Sequence, residues 1–290
     1  MPTHSHHHHQ AVPGHDDTAL ADLLDLDAEV LGPYLDQVTE WVGQLASDVP
    51  RTVVDVGAGT GTGSLALARR FGTAVVVAID RSPLMLERIR EAAHGQGLQG
   101  LEERLRLVQA DLDVAWPEVG AVDLVWAASS LHELAHPGRV LDDIYTALNP
   151  GGLLVVIEMA GPPRFLPDDL GRGRPGLESR CHEALARLGR NPGWNPHPNW
   201  RPHLERAGFE IAAQRTFTIE ETPAPPSTGR YAQAHLSRIR SALDGELAKE
   251  DLDTLDHLLA DGGPDALRRR SDLRVRGRRT AWAARRPELA

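Results

Sequence analysis

Five short apolar runs lie between residues 52 and 159: 52–56, 74–79, 104–109, 121–126 and 153–159. Helical stretches fall between most of them, at 64–71, from Ser82-Pro83 to about residue 93, and at 137–148. Unbroken apolar runs of this length suit strands buried on both faces, the condition inside a parallel sheet. Ser82 followed by Pro83 is a helix start, with a capping hydroxyl and proline at the first helical position. Strand–helix alternation of this kind predicts an α/β fold built on a Rossmann-like, doubly wound sheet. Ligands of such a sheet bind outside the carboxyl ends of its strands.

The flanking segments read differently. Residues 18–45 have helical spacing with a break at Gly32-Pro33, and Leu20, Leu23, Leu24 and Leu31 form one apolar side. After Met159 the chain turns rich in Pro, Gly and Arg, with a helical piece near 177–188. Asn199 caps a short helix that ends at Ala207-Gly208, and residues 209–220 read as a strand. "ETPAPPST" is a linker to two helical stretches, 229–247 and 249–260, before a last strand at 273–285. The expected organisation is therefore a His-rich tail at 1–17, N-terminal helices and core at 18–160, and a lid insertion at 161–198. A core helix and strand follow at 199–220, then a helical insertion at 221–272, and the last core strand and tail at 273–290. Both insertions are expected over the sheet's carboxyl edge, where a substrate cover belongs.

Composition narrows the partners. The formal net charge is -10 over 290 residues, which disfavours DNA and anionic membrane surfaces. Cys181 is the single cysteine, so no intrachain disulfide or cysteine-built zinc site forms, and a cytoplasmic location is expected. No apolar run approaches the roughly 18 residues that span a bilayer, and the N-terminus lacks a charged-then-apolar leader pattern. "MPTHSHHHHQ" binds nickel or zinc whatever its purpose, but it reads as a disordered tail, and no functional metal site is expected.

The first apolar run leads into "VVDVGAGTGTGS", with Gly57, Gly59, Gly61 and Gly63 at every second position. Glycine raises the entropy cost of folding, so four of them imply that something lies against bare backbone. A dinucleotide loop, G-x-G-x-x-G, needs a third glycine where this chain has Thr62 or Ser64. Asp55 beside the loop would repel a pyrophosphate and attract a cationic ligand. S-adenosylmethionine carries an ammonium, a sulfonium and a neutral adenosine. Asp80 ends the second run, where a carboxylate accepts hydrogen bonds from both ribose hydroxyls, a role that also serves NAD. Asp111, after the third run, is placed to accept from an adenine amino group.

On these segments the sequence resembles the class I S-adenosylmethionine-dependent methyltransferases of the small-molecule branch. "VVDVGAGTG", "VVVAIDRSPLML", "LVQADLD", "VDLVWAASSLHEL" and "ALNPGGLLVVIEM" resemble successive motifs of that family. "AGFEIAAQRTFT" and "RGRRTAWAARRP" resemble its last two strands. The resemblance implies seven strands with the last antiparallel, and S-adenosylmethionine as cofactor. It implies a cofactor site built from Asp55, Gly57, Ala58, Gly59, Gly61, Asp80, Arg81, Asp111, Leu112 and Ala128. By the family pattern the methionine end is held by the loop backbone and by carbonyls near Ala127–Ser129.

The end of the fourth strand bears on the acceptor. Ala127-Ala128-Ser129-Ser130 stands where base-amine methyltransferases carry an Asn/Asp-Pro-Pro-aromatic motif, and Cys181 lies outside any base-carbon motif. Both points argue against DNA and leave a small-molecule acceptor. Methyl transfer to oxygen or nitrogen needs positioning and the removal of one proton. His132 in "SSLHEL" is either the base for that proton or a structural group at the strand end. Trp194 and His197 in "GWNPHPNW" are expected in the lid against substrate, or as anchors of the loop. The arginines from Arg268 to Arg279 are read as a solvated edge, with an anion-binding role as the alternative. Two competing functions remain open: a non-catalytic cofactor-binding protein of the same fold, and a nicotinamide oxidoreductase.

Overall fold

The computed structural model describes residues 15–46, 48–95, 100–188, 197 and 199–288. Val53–Val56 are all buried within β1 (Thr52–Val56), as are Val76–Ile79 within β2 (Val75–Asp80). These unbroken apolar runs have no water-facing side because helices cover both faces of the sheet. β3 (Leu105–Gln109), β4 (Val122–Ala128) and β5 (Leu148–Met159) extend it, all parallel to β1. β6 (Glu210–Glu221) and β7 (Val275–Arg285) complete the order β3-β2-β1-β4-β5-β7-β6. β7 runs antiparallel to both of its neighbours. The seven-stranded sheet with one antiparallel strand is thus the one expected.

The order fixes where a ligand goes. From β1 the chain steps outward to β2 and β3, then returns to the other side of β1 for β4 and β5. That reversal opens a crevice at the carboxyl ends of β1 and β4.

The helices in chain order are α1 (His15–Leu31), α2 (Tyr34–Leu45), α3 (Thr62–Arg70), α4 (Pro83–Gly95) and a single turn, α5 (Leu101–Arg104). They continue with α6 (Pro137–Ala147), α7 (Leu177–Arg187), α8 (Arg201–Arg206), α9 (Thr228–Ala242) and α10 (Lys249–Leu259). One core joins α2, α3 and the inserted helices to one sheet face, and Trp41 packs edge-on against Phe217 with centroids 5.9 Å apart. The other lies under α6 and α8, with Trp126's neighbour Val125 and Trp200 among its members.

Several local expectations shift. Helix α1 begins at His15, inside the segment expected to be tail; the rest of that tail lies outside the described residues. Leu20 points outward at 45% exposure, and Ala21, Leu26, Val30 and Leu31 are buried instead. α1 touches α4 and α9 as well as the sheet, so its buried face is wider than one stripe. The Ser82 hydroxyl donates to Asp17 at 2.7 Å rather than capping α4. The Asn199 side chain does accept the Arg201 amide, at 3.1 Å.

The chain leaves the carboxyl ends of β5 and β6 into the segments that carry α7, α9 and α10, and α9–α10 return to β7 at that same edge. Glu178 of α7 is buried and accepts the amides of Phe165 and Leu166, at 2.9 and 3.2 Å. Burial pushes its carboxyl up to about 7. Asp251 of α10 accepts from Arg174 at 2.7 Å and from Arg180 at 2.7 and 2.9 Å, clamping α10 to the loop before α7. Cys181 is a buried thiol pushed up to about 12, unsuited to reaction at neutral pH. Among the described residues no helix is long and apolar enough to cross a membrane.

Candidate functional site

Gly57, Gly59 and Gly61 adopt φ of +65°, +54° and +89°, which explains three of the four glycines by backbone conformation alone. Neighbouring side chains add a second constraint on the same glycines. A Cβ on Gly57 would sit 2.6 Å from Ser130 Cβ, one on Gly61 2.8 Å from Ile89 Cγ1, and one on Gly63 2.9 Å from Trp126 Nε1. A Cβ on Gly59 would sit 3.0 Å from Leu24 Cδ1 of α1. The protein's own side chains crowd this loop, which turns sharply into α3.

The three acids stand at consecutive strand ends. Asp55, in β1, is 2% exposed and accepts the Ser64 hydroxyl at 2.6 Å. Burial pushes its carboxyl up to about 7 against the pull of that bond. Asp80, at the end of β2, accepts the Gly59 amide on Oδ2 and the Ser82 amide on Oδ1, each at 2.9 Å. Burial raises its pKa, opposed by those two amides. Asp111 follows β3, is exposed, and accepts the Asp113 amide at 2.9 Å. Leu112 beside it is buried in the core, Arg81 is exposed, Ala58 is buried at the loop, and Ala128 is half-buried at the end of β4.

The end of β4 is unusual. Ser129 has φ +53°, the one non-glycine residue in the left-handed region among the described residues. Its amide donates to Ile157 of β5 at 2.8 Å. Next to it, the Ser130 hydroxyl is buried without a hydrogen-bond partner.

His132 lies in a 3-10 turn (Leu131–Glu133) with its side chain 6% exposed. Nδ1 is 2.8 Å from Glu158 Oε2 and Nε2 is 3.1 Å from Glu133 Oε1. Burial alone would lower this imidazole, but the bonds and charges of Glu133 and Glu158 prevail and push it up to about 9. At neutral pH it is an imidazolium donating from both nitrogens. Of the two readings of His132, base or structural group, that geometry favours the second, since a doubly protonated ring bonded to both carboxylates has no lone pair to offer. The cause was out of reach of a local reading, since Glu158 ends a different strand.

The lid residues divide. His197 packs its ring against Trp200 at 5.0 Å and His203 at 4.7 Å between centroids, which ties it to α8. Trp194 lies outside the described residues. Trp200 is fully buried in the core. Within the arginine run Arg270 pairs with Asp272 at 2.6 Å, whereas Arg276 donates to the Leu166 carbonyl at 2.7 Å. Arg279 differs: it is 5% exposed, and it donates to Ser129 Oγ at 2.9 Å and to both oxygens of Asp27 in α1 at 2.9 and 3.0 Å. Tyr231 of α9 donates to the same Asp27 at 2.6 Å, and the Tyr34 ring lies 5.5 Å from the guanidinium. Asp27 and Glu158 were not singled out from sequence; Ser129 was named only for its carbonyl and Arg279 only as part of a solvated or anion-binding edge. The available signal was a charged residue among strand positions that alternate with Ala281 and Ala283.

Two open surface hollows, of about 450 and 500 Å³, lie on the inserted helices, lined by Arg172, Lys249 and Asp253 and by Ser237 and Arg238. Neither includes a residue of the glycine loop or of the three strand-end acids.

Strand order, loop and strand-end acids together define a class I methyltransferase fold. Residues 53–152 match the family described as "Methyltransferase domain". Over 116 residues it is 36% identical to the demethylmenaquinone methyltransferase of Thermus thermophilus, covering 40% of this chain and 50% of the relative. It is 33% identical over 140 residues to the malonyl-[acyl-carrier protein] O-methyltransferase of Laribacter hongkongensis, covering 48% and 46%. It is 30% identical over 138 residues to the trans-aconitate 2-methyltransferase of Variovorax paradoxus, covering 46% and 50%. The chain spans about half the length of the curated relatives it matches. Among solved structures it shares its fold with a Bacillus halodurans protein provisionally described as a methyltransferase. The TM-score is 0.52 and the identity 20%, over 86% of this chain and 98% of that one. The YcgJ protein of Bacillus subtilis is similar at a TM-score of 0.50 and 14% identity, over 87% and 98%.

Proposed function

We propose that this chain transfers a methyl group from S-adenosylmethionine to an oxygen, nitrogen or carbon of a small-molecule acceptor. The observation that carries the reading is Asp80. Its carboxylate organises the glycine loop through Gly59 and keeps a lone pair on each oxygen for a ribose diol. The residues fit the cofactor at three further points. Asp55 places under the loop a carboxyl whose ionised form, disfavoured by burial, a cationic ligand would stabilise, the exposed Asp111 faces solvent for an adenine amine, and the orphaned Ser130 hydroxyl is free to bond a polar ligand. When bound, the cofactor supplies an electrophilic methyl group.

The chain's own contribution is placement and charge. Asp80 fixes the loop, Ser129 sets the end of β4, and the His132 imidazolium holds Glu133 and Glu158 beside the crevice. In this reading His132 is a charged positioning group. The names of two of the relatives, a demethylmenaquinone and a trans-aconitate methyltransferase, support a small acceptor. Calorimetry with S-adenosylhomocysteine and with NAD tests the cofactor. Binding of the first alone supports the proposal, and binding of NAD alone overturns it. Turnover against an acceptor panel then separates an enzyme from a protein that only binds the cofactor.

A further inference from the structure

The Asp27–Arg279 pair has no assigned role, and a buried ion pair is a poor way to add stability: well-packed apolar groups serve as well or better. Its placement suggests another use. Arg279 bridges the left-handed Ser129 at the end of β4 to Asp27 in α1, and Tyr231 adds α9 to the same carboxylate. One turn earlier in α1, Leu24 lies against Gly59 of the glycine loop. The other end of α1 is tied to α4 through Asp17 with Ser82, and through Asp22 and Asp25 with Arg88, at 2.7, 2.9 and 3.1 Å. Near α9, Glu29 accepts the Ser227 hydroxyl. Helix α1 therefore runs between α4 and α9 and passes the glycine loop at Leu24.

We propose that Arg279 is a positioning residue for methyl transfer: it holds Ser129 at the reacting end of β4 and, through Asp27, couples that geometry to closure of α1 over the glycine loop. The proposal rests on the methyltransferase reading above. With Leu24 against Gly59, a shift of α1 changes what surrounds the loop on that side. The Asp27 carboxylate is the point at which such a shift is felt by Arg279 and Ser129 together. A stable pair that served packing alone would need no bond to Ser129 Oγ.

The test uses the full chain and four variants: Asp27→Asn, Arg279→Lys, Ser129→Ala and Tyr231→Phe. Two readouts are taken well below each variant's unfolding midpoint. The first is the dissociation rate of S-adenosylhomocysteine, and the second is amide hydrogen exchange at residues 57–61 and 129–131 without ligand. Dissociation is expected to speed up by about tenfold in Asp27→Asn and Arg279→Lys, a coupling typical of neighbours in one hydrogen-bonded network. Ser129→Ala removes no charge and is expected to give a smaller increase of the same sign. Exchange is expected to quicken at both segments in Asp27→Asn, although Asp27 touches neither. Lower unfolding midpoints with unchanged dissociation and unchanged exchange would reduce the pair to a structural role and overturn the proposal. Should the charge variants fail to fold, Ser129→Ala and Tyr231→Phe carry the same comparison. If the wild type binds no S-adenosylhomocysteine, the function reading fails, and the exchange data still decide whether Asp27 couples the two segments.

Discussion

The Asp80 carboxylate accepts the Gly59 amide at 2.9 Å, so the acid that ends β2 fixes the loop that follows β1. With the Ser82 amide on its other oxygen, Asp80 shapes the site before any ligand arrives. Asp80→Ala is expected to weaken S-adenosylhomocysteine binding by at least about 30-fold, because charge-assisted bonds to both loop and ribose disappear. Asp80→Asn keeps one acceptor oxygen and should fall between. Titration calorimetry reads both. Unchanged affinity in Asp80→Ala would remove the ribose assignment.

Gly61 carries two penalties for any side chain. Its φ is +89°, and a Cβ there would meet Ile89 Cγ1 at 2.8 Å. Gly61→Ala should therefore cost about 2–3 kcal/mol from backbone strain and overpacking together. Gly138 is the contrast, since it is exposed in the first turn of α6 and nothing lies within 4 Å of a Cβ there. Gly138→Ala should be neutral or stabilise by up to about 1 kcal/mol. Urea titrations of the two variants read the difference directly.

How much of this was legible in the sequence follows from distance along the chain. The glycine loop, Asp55, Asp80 and Asp111 show themselves because each follows its own apolar run within a few residues. The count of seven strands and the antiparallel last strand came from the family resemblance, not from periodicity. Arg279 and Asp27 are 252 positions apart and meet only because β7 inserts between β5 and β6 beneath α1. Glu158 looked like the end of an apolar strand, and its hold on His132 depends on β4 and β5 being neighbours. The number of glycines pointed to a close approach, and Ser130, Ile89, Trp126 and Leu24 supply one from distant parts of the chain.

His132 should leave a mark on stability against pH. Its folded pKa of about 9 lies above the free value of 6.5, so its contribution is fully present below about 6.5 and is lost as pH rises through 9. The window spans on the order of 2–3 kcal/mol. His132→Gln should flatten the fall in stability between pH 6.5 and 9, measured by urea titration at several pH values. Turnover offers a second check. As a positioning imidazolium, His132 gives no gain in rate on its deprotonation near pH 9. A rate that climbs through that pH in the wild type, and not in His132→Gln, would restore it as the base.

Asp55 works in the opposite range. Burial lifts its carboxyl from 3.8 to about 7, so between those values the folded chain binds a proton that the unfolded chain has released. Stability from this group is therefore highest below about pH 4, declines as pH rises to about 7, and is level above that. Asn is nearly isosteric, is neutral at every pH, and its amide oxygen still accepts from Ser64. Asp55→Asn should match the wild type near pH 4.5 and exceed it at pH 8 by a few kcal/mol, on the order of three pKa units of desolvation. Glu178 is also lifted to about 7, so some slope should survive in the variant. If Asp55→Asn is more stable at pH 8 yet binds S-adenosylhomocysteine less tightly, the buried charge is retained for the ligand at a cost to the fold. Equal stability at both pH values would mean that Asp55 is already compensated, and that its negative charge does not wait for a cationic partner.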